Sequence, residues 1–287
     1  MQAFLYGCTD AMRARIVPEL RYSQDVFEDE LRTAAADHVE AWLDLGCGHR
    51  MLPEWRREQE ASLLSRCGFV VGIDYDLEAL ARHRSIRHRC RGDAGALPFR
   101  DAAFDLVTAN MVVEHLSDPA TQFAEIARVL RPGGVFLFHT PNARSYIIRG
   151  ARLLPDALKR LLARLLEGRV AADVFPTHYR ANTPEAIERA ARQAGLAVRQ
   201  VRTVLTSPVF GVVPPIAFLE LLLLRGLARP AWARYRPTLI CALQRTPVEA
   251  PAPGDRSVAL PAEVRGVPSL TASLATPAPR RAVTPLT

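Results

Sequence analysis

Three acidic residues lie at or beside the ends of short apolar runs in this 287-residue chain. Asp44 lies inside Ala41–Leu45, Asp74 ends the run from Val70, and Asp93 follows a glycine. The first run leads into Gly46-Cys47-Gly48, a turn whose missing Cβ atoms let a ligand approach the backbone. A carboxylate at a strand end can accept two hydrogen bonds from paired donors. In an open α/β sheet such strand ends share one edge, where ligands bind.

Two further segments carry side chains that could take part in a reaction. An apolar run from Phe104 to Asn110 leads to His115, a candidate general base. The alternative is that His115 begins a helix and hydrogen-bonds its neighbours. His178 and Tyr179 lie in an insert, beside Arg180, where they either contact an acceptor or tie the insert to the sheet. The sequence leaves both pairs of interpretations open.

Five motifs, in order along the chain, are the basis for a family resemblance. They are the D-L-G-C-G turn, the run ending at Asp74, the segment Gly92 to Phe99 as a third element with an acid near its start, the run ending at Asn110 as a fourth strand, and the run Val135 to His139 as a fifth after Pro132-Gly133-Gly134. From Val39 to Asn142 the chain resembles the class I S-adenosylmethionine-dependent methyltransferases, in particular a small-molecule group with this first motif. The resemblance implies an α/β, Rossmann-like, doubly wound fold. It also implies a mostly parallel seven-stranded sheet, helices on both faces, and a helical insert after the fifth strand.

The resemblance further implies S-adenosyl-L-methionine as the cofactor. By position, Asp44 corresponds to the acid that helps hold the methionine ammonium, Asp74 to the ribose site, and Asp93 with Ala94 to the adenine site. The alternative for Asp44 and Asp93 is a role in forming turns. The predicted cofactor residues are Asp44, Gly46, Cys47, Gly48, Asp74, Tyr75, Asp93, Ala94 and Asn110.

The predicted catalytic residues are His115, His178 and Tyr179. Related ubiquinone-type O-methyltransferases hold a divalent metal with an E-x-x-E-H motif, and here Met111 stands at the first glutamate. Glu114 and His115 alone would make a poor site for a hard cation, which needs several oxygen ligands. We therefore expect no metal.

Two other classes of function are alternatives to methyl transfer. A nicotinamide oxidoreductase would need a glycine at Met51 for close helix–strand packing, and it is absent. A non-catalytic fold relative could bind the cofactor and act as an interaction protein through Ala151–Val170 and Val209–Leu224. Retained cofactor affinity without transfer to any acceptor would favour that second alternative.

The composition limits the classes of binding partner and the cellular compartment that we expect. The formal net charge is +7, carried mostly by arginine. Basic clusters interleaved with aromatic residues are absent, so we expect no nucleic-acid target. The five cysteines form no C-x-x-C pair, which favours a reducing compartment. The first residues show no secretory signal pattern, so we predict a cytoplasmic protein, with membrane association as an alternative.

Three regions are predicted along the chain. Residues 1–37 form an N-terminal helical segment, in which Tyr22 is either a lid residue or packs the helix down together with Phe27. Residues 38–245 form the methyltransferase domain, with inserts at 143–182 and 207–236. Residues 246–287 are rich in proline, alanine and threonine and lack an apolar period, so we expect disorder.

The two inserts predict the kind of acceptor. Ala151–Val170 reads as a leucine-rich basic amphipathic helix. Val209–Leu224 is apolar, but Pro214, Pro215 and Glu220 interrupt it and it is short for a membrane span. We expect a small-molecule or lipid-like acceptor covered by these inserts, or contact of the inserts with a membrane face. The methylated atom (oxygen, nitrogen or carbon) and the oligomeric state stay open.

Overall fold

A computed structural model describes residues 2–36, 39–153, 176–211 and 213–246. The strands are β1 Ala41–Leu45, β2 Phe69–Asp74, β3 His88–Arg91, β4 Phe104–Asn110, β5 Leu130–Pro141, β6 Leu196–Val204 and β7 Thr238–Arg245. The helices are α1 Gln2–Ile16, α2 Ser23–Ala34, α3 Arg57–Leu64, α4 Leu77–Ala81, α5 Pro119–Val129, α6 Tyr146–Leu153, α7 Pro184–Gln193 and α8 Pro214–Ala228. Short 3-10 turns cover Glu54–Arg56, Val113–His115 and Pro230–Tyr235.

The seven strands form one sheet in the order β3-β2-β1-β4-β5-β7-β6. Strands β1 to β5 pair in parallel, and β7 lies antiparallel between β5 and β6. The predicted fold class, a doubly wound and mostly parallel seven-stranded sheet, is confirmed. The order reverses between β1 and β4, which is where ligands bind in open α/β sheets.

Side chains alternate between the two faces of the sheet and build one apolar layer on each. On one face Leu43 and Leu45 of β1 belong to a core with Phe123 of α5 and Ile187 of α7. On the other face Trp42 belongs to a core with the buried residues of α2, α3 and α4. Both layers are needed because the parallel strands are apolar on both sides.

Two strand boundaries differ from the sequence prediction. The third strand is the basic segment His88–Arg91, and Gly92 to Phe99 forms the loop after it. The fifth strand begins at Leu130, five residues early, because Arg131–Gly134 form a bulge between the pairs Phe104–Leu130 and Leu106–Val135. Local turn signals therefore marked a bulge inside a strand rather than its start.

The N-terminal segment and the second insert lie together. Helix α1 packs on α8 through an apolar cluster that includes Val17, Leu20 and Leu221. In α2 the side chain of Phe27 is buried, whereas Tyr22 is 44% exposed. Among the described helices, none is long and apolar enough to cross a membrane.

Two predicted segments lie outside the described residues. One is most of the amphipathic segment Ala151–Val170, and the other is the tail beyond Thr246. Thr246 itself continues the domain, because its hydroxyl donates to Gly195 O at 3.0 Å.

Candidate functional site

The turn after β1 presents bare backbone to solvent. Gly46 and Gly48 both have positive φ, +64° and +55°, a region that side chains rarely adopt. A Cβ on Gly46 would lie 2.4 Å from Val112 Cγ2, whereas the space around Gly48 is open. Gly46 N donates to Ile73 O at 2.8 Å, which fixes the turn to β2. The turn therefore has room for a ligand to approach the Gly48 backbone.

Asp74, at the end of β2, holds this turn in place. Gly48 N donates to Asp74 Oδ2 and Asp76 N donates to Asp74 Oδ1, both at 2.8 Å. Each carboxylate oxygen has a further lone pair, so both can still accept from a ligand. Asp76 caps α4 by accepting from Glu78 N and Ala79 N, as its position predicts.

The loop that carries Asp93 turns tightly at the end of β3. Gly95 N donates to Asp93 Oδ1 at 2.6 Å, and Ala96 N donates to Asp93 O at 3.1 Å. Arg128 of α5 holds the rest of the loop by donating to Leu97 O and Phe99 O. Asp93 is thus a turn residue by geometry, and it also faces a cavity.

A cavity of about 450 Å³ extends from the glycine turn to this loop, and we call it the first cavity. Its wall includes most of the predicted cofactor residues, namely Gly46, Gly48, Asp74, Tyr75, Asp93 and Ala94. Met111, Val112, His115, Leu116 and His178 complete the wall on the side of β4. A bare glycine backbone and two acidic side chains along one cleft fit an amino acid joined to a nucleoside.

Three predicted cofactor residues lie behind this wall. Cys47 is buried, and a Cβ at Gly72 would lie 2.6 Å from its Sγ. Burial raises the pKa of the Cys47 thiol far above its usual range. Asp44 is 6% exposed and accepts from the Thr108 hydroxyl at 2.6 Å. Asn110 hydrogen-bonds Gln24 of α2.

Burial also perturbs Asp44. Desolvation raises its pKa to about 7, against the smaller opposing effect of the Thr108 hydroxyl. That hydroxyl in turn accepts from Trp42 Nε1 at 2.7 Å. A positively charged group near the turn would favour the ionised carboxylate, so an ammonium suits this position.

A second cavity, of about 590 Å³, lies beside the first and shares Met111 and His115 with it. Its wall combines polar side chains from α2, β5 and the loop after β4 with apolar ones from α6 and the loop before α8. The wall of this second cavity includes Tyr22, Gln24, Glu114, His139, Ile147, Ile148, Tyr179, Pro208 and Val209. The sequence placed His139 at the carboxyl edge of the sheet but did not select it as a site residue.

The three predicted catalytic residues are distributed over both cavities. His178 lines the first, Tyr179 the second, and His115 lines both. His115 Nδ1 lies 2.9 Å from Pro176 O. The backbone N–H groups of His178 and Tyr179 donate to Glu114 O at 2.7 and 3.1 Å, so this segment is also tied to the end of β4. The segment is therefore tied to the loop after β4, and contact of its side chains with an acceptor stays a prediction.

Glu114 and Asn142 are held by the protein itself. Glu114 is buried and accepts from the Thr140 hydroxyl at 2.9 Å, and burial raises its pKa. Asn142 is fully buried and donates to Arg234 O and Arg236 O. These hydrogen bonds give Asn142 a structural role at the end of β5. No group of three or more His, Cys, Asp or Glu side chains suited to a metal occurs in the described ranges.

Comparisons with known proteins agree with this geometry. A family model described as a methyltransferase domain matches residues 43–138. A demethylmenaquinone methyltransferase of Mycobacterium sp. (strain KMS) is 32% identical over 166 residues, 55% of this chain and 68% of the relative. A protein of Mycolicibacterium smegmatis, named a probable S-adenosylmethionine-dependent methyltransferase, is 38% identical over 117 residues. That match covers 39% of this chain and 40% of the relative's length.

One solved structure has the same fold. The geranyl diphosphate C-methyltransferase of Streptomyces coelicolor A3(2), in complex with Mg²⁺, geranyl diphosphate and S-adenosyl-L-homocysteine, superposes with a TM-score of 0.50 at 14% identity, covering 77% of each chain. The chain therefore belongs to the class I S-adenosylmethionine-dependent methyltransferases. It spans less than half the length of the Mycolicibacterium smegmatis relative.

The raised pKa of Asp44 predicts a pH-dependent effect of Asp44→Asn. The folded protein keeps this carboxyl protonated up to about pH 7, whereas the unfolded chain releases the proton near the ordinary aspartate pKa of 3.8. The stability contribution of Asp44 therefore falls as pH rises from about 4 to 7. Relative to wild type, the Asn variant should gain on the order of 2–3 kcal/mol between pH 5 and pH 8.

Thermal unfolding of the ligand-free proteins at the two pH values measures this difference. Asp118→Asn is the control, because hydrogen bonds with Thr121 lower the pKa of exposed Asp118 and place its titration below this window. Equal differences between wild type and Asp44→Asn at pH 5 and pH 8 would contradict the raised pKa.

Proposed function

We propose that this chain binds S-adenosyl-L-methionine in the first cavity and transfers its methyl group to an acceptor held in the second. The observation that supports this best is that the two cavities meet at Met111 and His115. A methyl group placed at this junction would be accessible from both sides.

The first cavity offers three points of attachment for the cofactor. The open backbone at Gly48 suits the methionine part, with Asp44 beneath the turn for its ammonium. Asp74 would accept from the ribose hydroxyls, and Asp93 with Ala94 would contact the adenine. When bound, the cofactor supplies a methyl group already activated by a positively charged sulfur.

The chain's own contribution is mainly positioning. Holding the acceptor and the methyl group in line can supply much of the rate enhancement. Met111 has a φ of +58° and Tyr179 a φ of +52°, and both line the second cavity. Such backbone strain at a site is maintained only where the surrounding contacts enforce it. A base is required only for an acceptor that must lose a proton, and His115, His178 and Tyr179 are candidates for that role.

The acceptor that we propose is a small or lipid-like molecule with a partly apolar body. The second cavity has apolar walls at Ile147, Ile148, Pro208 and Val209, with Glu114 and Tyr179 as polar groups. A cavity of about 590 Å³ is within the range of small-molecule sites. The Mycobacterium relative named demethylmenaquinone methyltransferase supports a lipid-like acceptor.

Asp74→Ala should weaken binding of S-adenosyl-L-homocysteine by about 1.5–3 kcal/mol, the scale of hydrogen bonds to a charged group. The same variant removes the hydrogen-bond acceptor of Gly48 N, which donates to Asp74 Oδ2 in the wild-type protein. Asp76→Ala is the matched control, because it removes the cap of α4 from a residue outside the cavity wall. Calorimetry should show a lower affinity for the first variant and an unchanged affinity for the second.

Failure of the wild-type protein to bind the ligand would contradict the proposal, as would full affinity in Asp74→Ala. Binding without transfer to any acceptor in a metabolite extract with methyl-labelled cofactor would favour the non-catalytic alternative.

A second proposal concerns helix α8, and a separate observation supports it. One side of α8 packs on α1, whereas Ile216, Leu219 and Leu223 on the other side are 45%, 64% and 43% exposed. The exposed Arg225 and Arg229 follow this apolar face. We propose that it rests on an anionic membrane surface, since apolar contact and cationic attraction together suit an interfacial helix.

Leu219→Ser with Leu223→Ser should reduce sedimentation with vesicles that contain phosphatidylglycerol, because apolar contact is lost. High salt should also weaken binding of the wild-type protein, because it screens the arginines. Val198→Ser, a comparably exposed residue on β6, is the control and should bind like wild type. Wild-type protein that stays in the supernatant at low salt would contradict membrane contact, as would a stable dimer that buries this face.

A further inference from the structure

His139 differs from the other histidines of the site in its burial. It lies on β5 opposite Asn110 in register and lines the second cavity. Its side chain is 4% exposed, and its ring stacks on Phe27 with centroids 5.6 Å apart and an interplanar angle of 24°. Packing on Phe27 and the hydrogen bond between Nδ1 and Asn110 Oδ1 thus fix the plane of this ring.

A chain of polar side chains under α2 fixes which ring nitrogen carries the proton. Burial raises the pKa of Glu28, whereas Arg56 and Arg32, at 3.5 and 3.7 Å, oppose that rise and favour the ionised, acceptor-only form. Gln24 Nε2 donates to Glu28 Oε1 at 3.5 Å, which leaves Gln24 Oε1 to accept from Asn110 Nδ2 at 3.1 Å. Asn110 Oδ1 therefore accepts from His139 Nδ1 at 3.0 Å. The proton is on Nδ1, and Nε2 carries a lone pair.

This lone pair is unused by the part of the chain that the structure describes. Among those residues His139 Nε2 is buried and has no hydrogen-bond partner. A buried acceptor without a partner is destabilising, and a catalytic role is one reason for a structure to retain such a group. A ligand group that pairs with Nε2 must donate a hydrogen bond. A carboxylate cannot, because its oxygens carry only lone pairs and would repel the lone pair of Nε2.

We propose that Nε2 of His139 accepts the proton of a neutral, hydroxyl-bearing acceptor in the second cavity; this rests on the proposed function. The acceptor oxygen forms the new C–O bond with the methyl carbon. The C–S bond breaks, its electron pair stays on sulfur, and the hydroxyl proton moves to Nε2. The site loses one positive charge at sulfur and gains one on the imidazole, so its total charge is unchanged.

The environment of the ring agrees with this role. Burial lowers the pKa of His139 to about 4, so at neutral pH the ring is neutral and Nε2 can accept a hydrogen bond. The same burial makes the ring a weak base, so proton transfer relies on the acceptor oxygen becoming more acidic as it bonds to the methyl carbon. The buried carboxyl of Glu114 lies in the wall of the same cavity, where it would disfavour an anionic acceptor. His139 is therefore a better candidate for the base than His115, because its neighbours define which of its ring nitrogens carries the lone pair.

The experiment uses 2-naphthol as the probe and 2-methoxynaphthalene, which has no proton to donate, as its matched control. Both are bound to the full chain saturated with S-adenosyl-L-homocysteine. Transfer to 2-naphthol is then measured with methyl-labelled cofactor. His139→Asn is the test variant, because its amide can still donate to Asn110 while the Nε2 position is lost.

Wild type should bind 2-naphthol about 10-fold more tightly than its methyl ether, the scale of one hydrogen bond. In His139→Asn this preference should disappear and turnover should fall by about 100-fold or more, the scale of general-base catalysis. Affinity for S-adenosyl-L-homocysteine should be unchanged, which shows that the variant is folded. Wild type that fails to bind S-adenosyl-L-homocysteine would overturn the proposed function itself.

If wild type binds S-adenosyl-L-homocysteine but shows no preference for 2-naphthol, the inference about His139 is wrong while the proposed function stands. The same holds if His139→Asn keeps the preference or the turnover. A preference for 2-naphthol without any transfer would contradict the proton-transfer step.

Discussion

The hydrogen bond from Gly48 N to Asp74 Oδ2 joins the ends of β1 and β2, and the shape of the first cavity depends on it. A turn with two positive φ values is held by few local contacts, so it needs a partner from another strand. Asp74 is that partner, and the same carboxylate faces the cavity. Folding of the turn and the proposed recognition of the ligand therefore use one side chain, so a variant at Asp74 changes both.

A second set of polar side chains lies at the carboxyl edge of the sheet, on β1, β4 and β5. On the face covered by α2, Asp44, Thr108, Asn110 and His139 replace the apolar residues that fill the rest of that layer. Each buried polar group must find a partner, because an unpaired one is costly in a region of low dielectric. These partners come from neighbouring strands and from Gln24, so α2 completes the polar layer as well as the apolar one.

The sequence predicted the parts of the fold that depend on local pattern. The apolar runs of β1, β2 and β4 and the glycine turn are each encoded in a short stretch of contiguous residues. The roles of Glu220 and Asn142 could not be predicted in this way. Glu220, an interruption in an apolar run, accepts from Tyr146, Val209 N and Phe210 N and so organises the loop beside the second cavity. Its partners lie 10 to 74 residues away, and no spacing rule connects them.

His139 is the clearest case of a site residue that pattern alone does not identify. In the sequence His139 is the last residue of an apolar run, and no pattern favours it over His115 as a base. The distinction comes from which nitrogen already has a partner, and that follows from the charge of Glu28, three side chains away through Gln24 and Asn110. A carboxylate can only accept, so the direction of every hydrogen bond in the chain follows from it. The tautomer of a residue in the wall of the second cavity is thus set by side chains beneath α2.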